Sequence, residues 1–378
     1  MHETYQIYLD NNATTKTDPR VLESLLPYFT EHYANPGSPH LNGLAVKEAI
    51  DNAIWQVADL IGSKENEMVF TSGATESINL AVKGLRNSER KRIITFTTEH
   101  KAVLDTCHYM ESQGFKVEYL PVQPDGIIDP DLLEQSLNEE TLLVIAMMAN
   151  NETGTLQNIK SIAEASHSYG AYLLCDATQA VGKIPVDVKE LDVDLLSISG
   201  HKFYGPKGTG ALYVSKKSKI KLEEQIHGGG QQRNLRSGTL NVPGIIGLSK
   251  ACEIAKDEMN NDAERIGKLR DFLEQELLKI KGSFVNGSNA HRIYNTSNIC
   301  FPDVSSEKLI IALGNISVSS GSACSSVTSQ PSHVLKALGL SDENALSSIR
   351  FSLGRFTTPR DIEITISKVT DVVNTLRA

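Results

Sequence analysis

Short, almost unbroken apolar runs alternate along this chain with stretches in which apolar residues recur every three or four positions. The runs are "EMVFTS", "RIITFTT", "KVEYLPV", "TLLVIAMMANN", "AYLLCD" and "DLLSIS"; the periodic stretches include "ATESINLAVKGL", "KAVLDTCHYMESQG" and "IKSIAEASHSYG". A run without polar alternation reads as a strand buried on both faces. Strands of that kind separated by helices build a mostly parallel sheet covered on both sides. Ahead of them, Asp18-Pro19 predicts a helix start, with Asp as the cap and Pro in the first turn. A second helix is expected from about Leu44 to Ile61, stopped by Gly62. After about Ala251 the pattern changes. "EIAKDEMNNDAERIGKLRDFLEQELLKI" predicts a long charged helix bridging two domains, followed by a strand in "NTSNICF", a helix in "SEKLIIALG" and a C-terminal helix in "PRDIEITISKVTDVVNTL". That succession reads as an α+β domain, to which the segment before Thr15 is expected to return.

The chain has 378 residues, more than one hydrophobic core usually serves. The expected division is a large domain over 16–255 and a small one formed by 1–15 and 256–378. A formal net charge of -9 argues against sequence-independent nucleic-acid binding. No apolar stretch is long enough for a signal peptide or a membrane span, so no membrane partner and a cytoplasmic location are expected. The five cysteines, Cys107, Cys175, Cys252, Cys300 and Cys324, are odd in number and never at C-x-x-C spacing. That makes free thiols in a reducing compartment the expectation, rather than disulfides or a bound metal.

In open α/β sheets ligands bind beyond the C-terminal ends of the strands, so polar residues that directly follow the runs are candidates. "VFTSGATES" is strand, glycine turn, helix: the N–H groups of Ala74 and Thr75 and the Thr75 hydroxyl could hold an anion. Asp176 closes "AYLLCD", His100 follows "RIITFTT", and Lys202 follows "DLLSIS" between Gly200 and Gly205. Each has an ordinary alternative: a capped helix without ligand, a cap aspartate, a hydrogen-bonded turn histidine, a solvated lysine. Together they are what pyridoxal phosphate requires: an anion cradle, a carboxylate for the ring nitrogen, a lysine for a Schiff base and a flat group for the ring. Cys324 stands apart, in the Ser-rich, almost apolar-free stretch "SVSSGSACSSVTSQPSHV". It reads either as a small residue in a linker or as a thiol kept free to react.

Over nearly its whole length the chain resembles the cysteine desulfurases, in particular the bacterial IscS/NifS-like group. The resemblance rests on "YLDNNATT", "FTSGATES", "TEHKAVLDTC", "NNETG", "DATQAVGKIPVD", "SGHKFYGPKGTGALYV", "HGGG", "RSGTLNV", "SSGSACSS" and "SSIRFSLGRFTT", in that family's order. It implies a PLP-dependent transferase fold of type I, an α/β domain with a mostly parallel seven-stranded sheet plus a smaller α+β domain. It implies Lys202 as the Schiff-base lysine, Asp176 at the pyridine nitrogen, Gln179 at the ring hydroxyl and His100 stacked on the ring. Ala74, Thr75, Ser199 and His201 would hold the phosphate, joined by Thr239 from the neighbouring subunit of a homodimer. Asn151 would touch cofactor and substrate, Arg350 would clamp the substrate carboxylate, and Cys324 would be the nucleophile. L-cysteine would then yield L-alanine and a persulfide on Cys324, passed to an acceptor such as an iron–sulfur scaffold protein. Relatives that dock such a scaffold often carry a further C-terminal tail; here the acceptor is expected to differ or to bind another surface. A selenocysteine lyase or an aminotransferase would share Lys202 and Asp176, and only the Cys324 stretch separates them. A non-catalytic sulfur carrier is disfavoured because both residues are present.

Overall fold

A computed structural model describes residues 5–288, 290–320 and 330–378. The chain enters through Ile7–Tyr8 (β1). It then lays down Met68–Thr71 (β2), Arg92–Phe96 (β3), Lys116–Leu120 (β4), Thr141–Met147 (β5), Tyr172–Asp176 (β6), Leu195–Ser199 (β7) and Gly210–Val214 (β8). These last seven form one sheet in the order β2-β8-β7-β6-β5-β3-β4. β3 to β7 run parallel with β4, while β8 lies antiparallel to both β7 and β2. The reason is visible residue by residue. In β3, Ile93 packs into one apolar cluster and Ile94 into another; in β6, Leu173 and Cys175 face one and Leu174 the other. Successive side chains point to opposite faces, and both faces are covered by helices, so the strands carry no polar alternation.

The second sheet is built from Phe284–Val285 (β9), Thr296–Cys300 (β10) and Ser348–Ser352 (β12), in the order β12-β10-β9. Ile316–Ser317 (β11) pairs in parallel with β1. The N-terminal segment thereby adds Ile7 and Leu9 to a separate core that also holds Ile266, Leu273, Phe301, Ile349 and Val369. No helix among the described residues is long and apolar enough to cross a membrane.

Two helices begin earlier than their sequence pattern predicts. The helix Leu41–Leu60 starts at a His40 cap, whose Nδ1 accepts the Gly43 N–H at 3.1 Å. Histidine is not among the usual capping residues. The bridging helix spans Val242–Leu277, 36 residues, capped by the Asn241 side chain on the Gly244 N–H. Its first turns are buried and nearly uncharged, so the charge pattern that betrays it starts only near Glu253. This helix takes part in two cores, with Ile245, Leu248 and Ile254 in the large one and Ile266, Leu273 and Leu277 in the small one.

Two glycines give opposite expectations for stability. A Cβ on Gly210 would lie 2.3 Å from the Ile198 carbonyl oxygen and 2.6 Å from the Gly73 Cα. Gly210→Ala should therefore destabilise by about 1–3 kcal/mol, the usual cost of overpacking. Gly267 lies within the long helix, and its Cβ would meet only the Tyr294 Cβ at 3.7 Å. Gly267→Ala should stabilise by about 0.5–1 kcal/mol through backbone entropy. Thermal melting midpoints moving in opposite directions are the expected result; a fall for both would contradict the packing described at Gly267.

Candidate active site

At the C-terminal ends of β5, β6 and β7 lies a cavity of about 1340 Å³. The chain leaves β7 in a tight turn, Gly200–Lys202, on which Gly205 closes: a Cβ there would stand 2.8 Å from the Gly200 carbonyl oxygen. The turn sends Lys202 into the cavity, where Nζ donates to the backbone carbonyls of Asn12 at 2.6 Å and Ala13 at 2.8 Å. Among the described residues no carboxylate lies within ion-pair distance of it. Burial, reinforced by the nearby Arg350 cation and opposed by Asp176 and Asp10, brings its pKa down to about 8. The amine is thus poised between its charged and nucleophilic forms near neutral pH.

Asp176 is the last residue of β6, in register with Ser197 of β7 and Met147 of β5. Its Oδ1 accepts from the Thr178 N–H at 3.0 Å, the Thr178 hydroxyl at 2.5 Å and the Ser197 hydroxyl at 2.9 Å. Oδ2 has no donor among the described residues. Gln179 follows, its Nε2 donating to the Asn12 carbonyl at 2.9 Å.

Ala74 and Thr75 open the helix Ala74–Lys83 on the cavity wall. The N-cap is Gly73, at φ 147°, with no side chain to cap the first N–H groups. A ten-residue helix with an uncapped N-terminus attracts an anion. Ser199 and His201 stand beside it; His201 is held down to about 4 by burial and by Lys202, Lys207 and Lys183, so its ring is neutral. His100 caps the helix Lys101–Ser112 through Nδ1, which accepts the Ala102 N–H at 3.0 Å. Desolvation lowers its pKa, Asp176 opposing and Lys202 and His333 adding to the effect. A proton on Nδ1 would break the cap, which favours the same neutral ring.

Arg350, on β12, brings the small sheet to the same cavity. Its Nη2 donates to Asp10 Oδ1 at 2.6 Å and its Nη1 to the Asn151 carbonyl at 2.9 Å, while its buried Nε has no partner among the described residues. Of the residues singled out from the sequence, Ala74, Thr75, His100, Asn151, Asp176, Gln179, Ser199, His201, Lys202 and Arg350 all line this one cavity. Thr239 does not: it is exposed, outside the lining. Cys324 lies outside the described residues. The other four cysteines are buried and free. Burial pushes the thiols of Cys107 up to about 12 and Cys300 up to about 11, and raises those of Cys175 and Cys252 as well.

Sequence reasoning did not assign Asn12, Asp10, Glu152 or Lys183. Asn12 bonds groups from both sheets, and Asp10 pairs with Arg350. Glu152, raised to about 7 by burial against the opposing effects of Ser332 and Arg350, accepts the Ser332 hydroxyl at 2.5 Å. Lys183 sits under Gln179. The signal available was polarity itself: "DNNATT" and "NNETG" are polar residues following apolar strand runs, the same criterion that marked Asp176.

An uncapped helix end, a carboxylate with one free oxygen, neutral imidazoles and an amine near neutrality can together hold a phosphorylated aromatic cation and bond it covalently. The comparisons agree. Residues 7–364 match the family model for class-V aminotransferases. The cysteine desulfurase IscS of Shewanella sp. (strain ANA-3) is 50% identical over 377 residues, covering 98% of this chain and 93% of that protein. A solved NifS-like protein superposes with a TM-score of 0.92 at 37% identity, covering 98% of this chain and all of that one. A structure of SspA in complex with cysteine superposes with a TM-score of 0.82 at 35% identity, covering 93% of this chain and all of that one. The chain therefore belongs to the class-V aminotransferases and, within them, to the cysteine desulfurases, which are pyridoxal phosphate-dependent enzymes.

Proposed function

We propose that the chain takes sulfur from L-cysteine, releases L-alanine and holds the sulfur as a persulfide on Cys324 for transfer to an acceptor protein, with iron–sulfur cluster assembly as the use. The observation that carries this reading is the pair lining the cavity: Lys202, an amine without a carboxylate partner among the described residues, and Asp176, a carboxylate whose Oδ2 is left open by them. The cysteine bound to SspA is in keeping with it.

These residues fit pyridoxal phosphate. Lys202 would bond it, Asp176 would meet its ring nitrogen, Gln179 its ring oxygen and His100 its ring face. Ala74, Thr75, Ser199 and His201 would hold the phosphate. Thr239 of one protomer of a homodimer would complete its partner's phosphate site; its exposure outside the cavity supports this. So does the run of exposed apolar residues Leu22, Leu26, Phe29, Tyr33, Leu41 and Leu44, of a kind that mark association surfaces. When bound, the cofactor supplies a protonated ring that takes up the electron pair left at the substrate's α-carbon.

The chain's own residues do the rest. Arg350, with its unpartnered Nε, and Asn151 orient the substrate carboxylate. Lys202 Nζ, near neutrality, takes the α-proton and later returns one. The Cys324 thiolate attacks the substrate Sγ: an S–S bond forms as the Cβ–Sγ bond breaks, its electron pair stays with carbon, and a proton completes the methyl of alanine. The other four thiols are buried and raised, which leaves Cys324 as the nucleophile. The domain division at 16–255, against 1–15 with 256–378, is supported by the separate cores, and the free thiols favour a reducing, cytoplasmic compartment.

Three measurements test this reading. The neutral amine is the reactive form, so the rate at which apoenzyme reloads with pyridoxal phosphate should rise with pH through about 8 and level off above it. Arg350→Met removes a cation that depresses Lys202 and should move that midpoint upward; a downward move would contradict the assignment.

Arg350→Lys should raise KM for L-cysteine by roughly ten- to a hundredfold with cofactor content unchanged, since a point charge replaces a fork. An unchanged KM would remove Arg350 from the substrate site.

Single Cys→Ser substitutions at all five positions separate the nucleophile from the buried thiols. Cys324→Ser should still exchange the substrate α-proton yet release no alanine, whereas each of the others should release it at close to the parent rate. Alanine formed at the parent rate by Cys324→Ser would reject the desulfurase mechanism.

A further inference from the structure

Lys183 is a buried lysine that the proposed mechanism does not use. It lies in the turn after β6, four residues beyond Gln179. Gly182, at φ +76°, packs against the Phe203 ring so closely that a Cβ would stand 2.6 Å from it. That left-handed residue turns the chain inward and takes Lys183 with it, to 4% exposure. Its Nζ donates to Gln179 Oε1 at 2.7 Å and reaches Asn12 Oδ1 at 3.4 Å. Among the described residues no carboxylate lies within ion-pair distance. The charged groups that face it are the cations Lys202 and Arg350, which join burial in driving its pKa well below the ordinary lysine range. A lysine buried among cations is a poor counter-ion but a good neutral donor.

The geometry points to Lys183 as a positioning residue, which fixes the Gln179 carboxamide with its N–H edge toward Lys202 and the cofactor site. A free glutamine carboxamide has two nearly equivalent orientations, half a turn apart. Here one is excluded. Turning the amide over would set Gln179 Nε2 against the Lys183 amine and Oε1 against the Asn12 carbonyl oxygen. The Asn12 contact would become acceptor–acceptor whatever the charge on Lys183. The Lys183 contact would become donor–donor while the amine is protonated; when it is neutral, the flip takes Oε1 away from its N–H and leaves only the lone pair to receive Nε2. The inference rests on the reading of Gln179 as the residue that donates to the cofactor's ring oxygen.

The test is a double-mutant cycle on the holoenzyme, read by the pH midpoint of its cofactor absorbance band rather than by turnover. An amide N–H on the ring oxygen favours the deprotonated, more negative form of the chromophore. Gln179→Ala should therefore raise the midpoint by about one pH unit, the worth of one hydrogen bond to a charged group. Lys183→Met, which keeps the stem and removes the donors, should raise it by a similar amount, and the double variant by no more than either single one. Lys183→Gln, a neutral donor, should bring the midpoint back toward the parent value. If Gln179→Ala moves the midpoint and Lys183→Met does not, or if their shifts add, Lys183 does not act through Gln179 and the proposal is overturned. If Gln179→Ala itself leaves the midpoint in place, the reading of Gln179 fails first and the proposal with it. Should Lys183→Met give no folded holoenzyme, Lys183→Gln decides alone: a midpoint near the parent value supports the proposal, and a raised one overturns it.

Discussion

One buried side chain, Asn12, ties the two sheets together more fully than Arg350 or Asn298, which each reach across to a single carbonyl. Asn12 is 2% exposed, and every polar atom it has is in use. Its N–H donates to the Ser352 hydroxyl at 3.0 Å. Its Nδ2 donates to the Thr296 hydroxyl at 2.8 Å and the Asn151 carbonyl at 3.1 Å. Its Oδ1 accepts from Asn295 at 3.1 Å, and its carbonyl accepts from both Gln179 and Lys202. The partners come from the ends of β5, β6 and β7 on one side and from β10, β12 and their flanks on the other. A buried polar network satisfied at every atom specifies one arrangement, and an amide left half-bonded there would cost more than it contributes. The position of Lys202 relative to Arg350 is thus fixed by a residue that reacts with nothing.

The same convergence sets the electrostatics. Lys183, Lys202 and Arg350 approach one another, with Asp10 and Asp176 opposing them at Lys202. Arg350 depresses both lysines, and Lys202 further depresses Lys183. Burial alone would depress Lys202, but the guanidinium brought in from the other sheet deepens the effect. The reactivity of the large sheet's lysine therefore depends on the small sheet being docked.

How much of this was legible follows from how each feature is encoded. The strands of the large sheet were legible because both faces are buried, so "TLLVIAM" and "YLLC" carry no polar interruption. Asp176, Lys202 and His100 were legible because each stands at or shortly beyond the end of such a strand, and strand ends face the cavity. The starts of the helices at Leu41 and Val242 were not. One is capped by an unusual residue, and the other opens in an apolar stretch where helix and strand look alike. Asn12, Asp10 and Lys183 have partners whose identity only the fold decides. Arg350 lies 340 residues from Asp10, and no local pattern relates them. The orientation of Gln179 belongs to the same class: its type was in the sequence and its direction was in the packing.

The helix Val242–Leu277 faces one core with its first half and another with its second. Each residue of a helix turns it by about 100° and lengthens it by about 1.5 Å. One residue inserted between Ala255 and Ile266 would rotate Ile266, Leu273 and Leu277 away from their core by that angle. Seven would restore the facing to within about 20° but push the small sheet roughly 10 Å outward, beyond the reach of the Asn12 bonds. In this stretch the chain can change its residues over evolutionary time, but its length is locked. Insertions and deletions among relatives should fall in the loops and leave the span from 255 to 266 untouched.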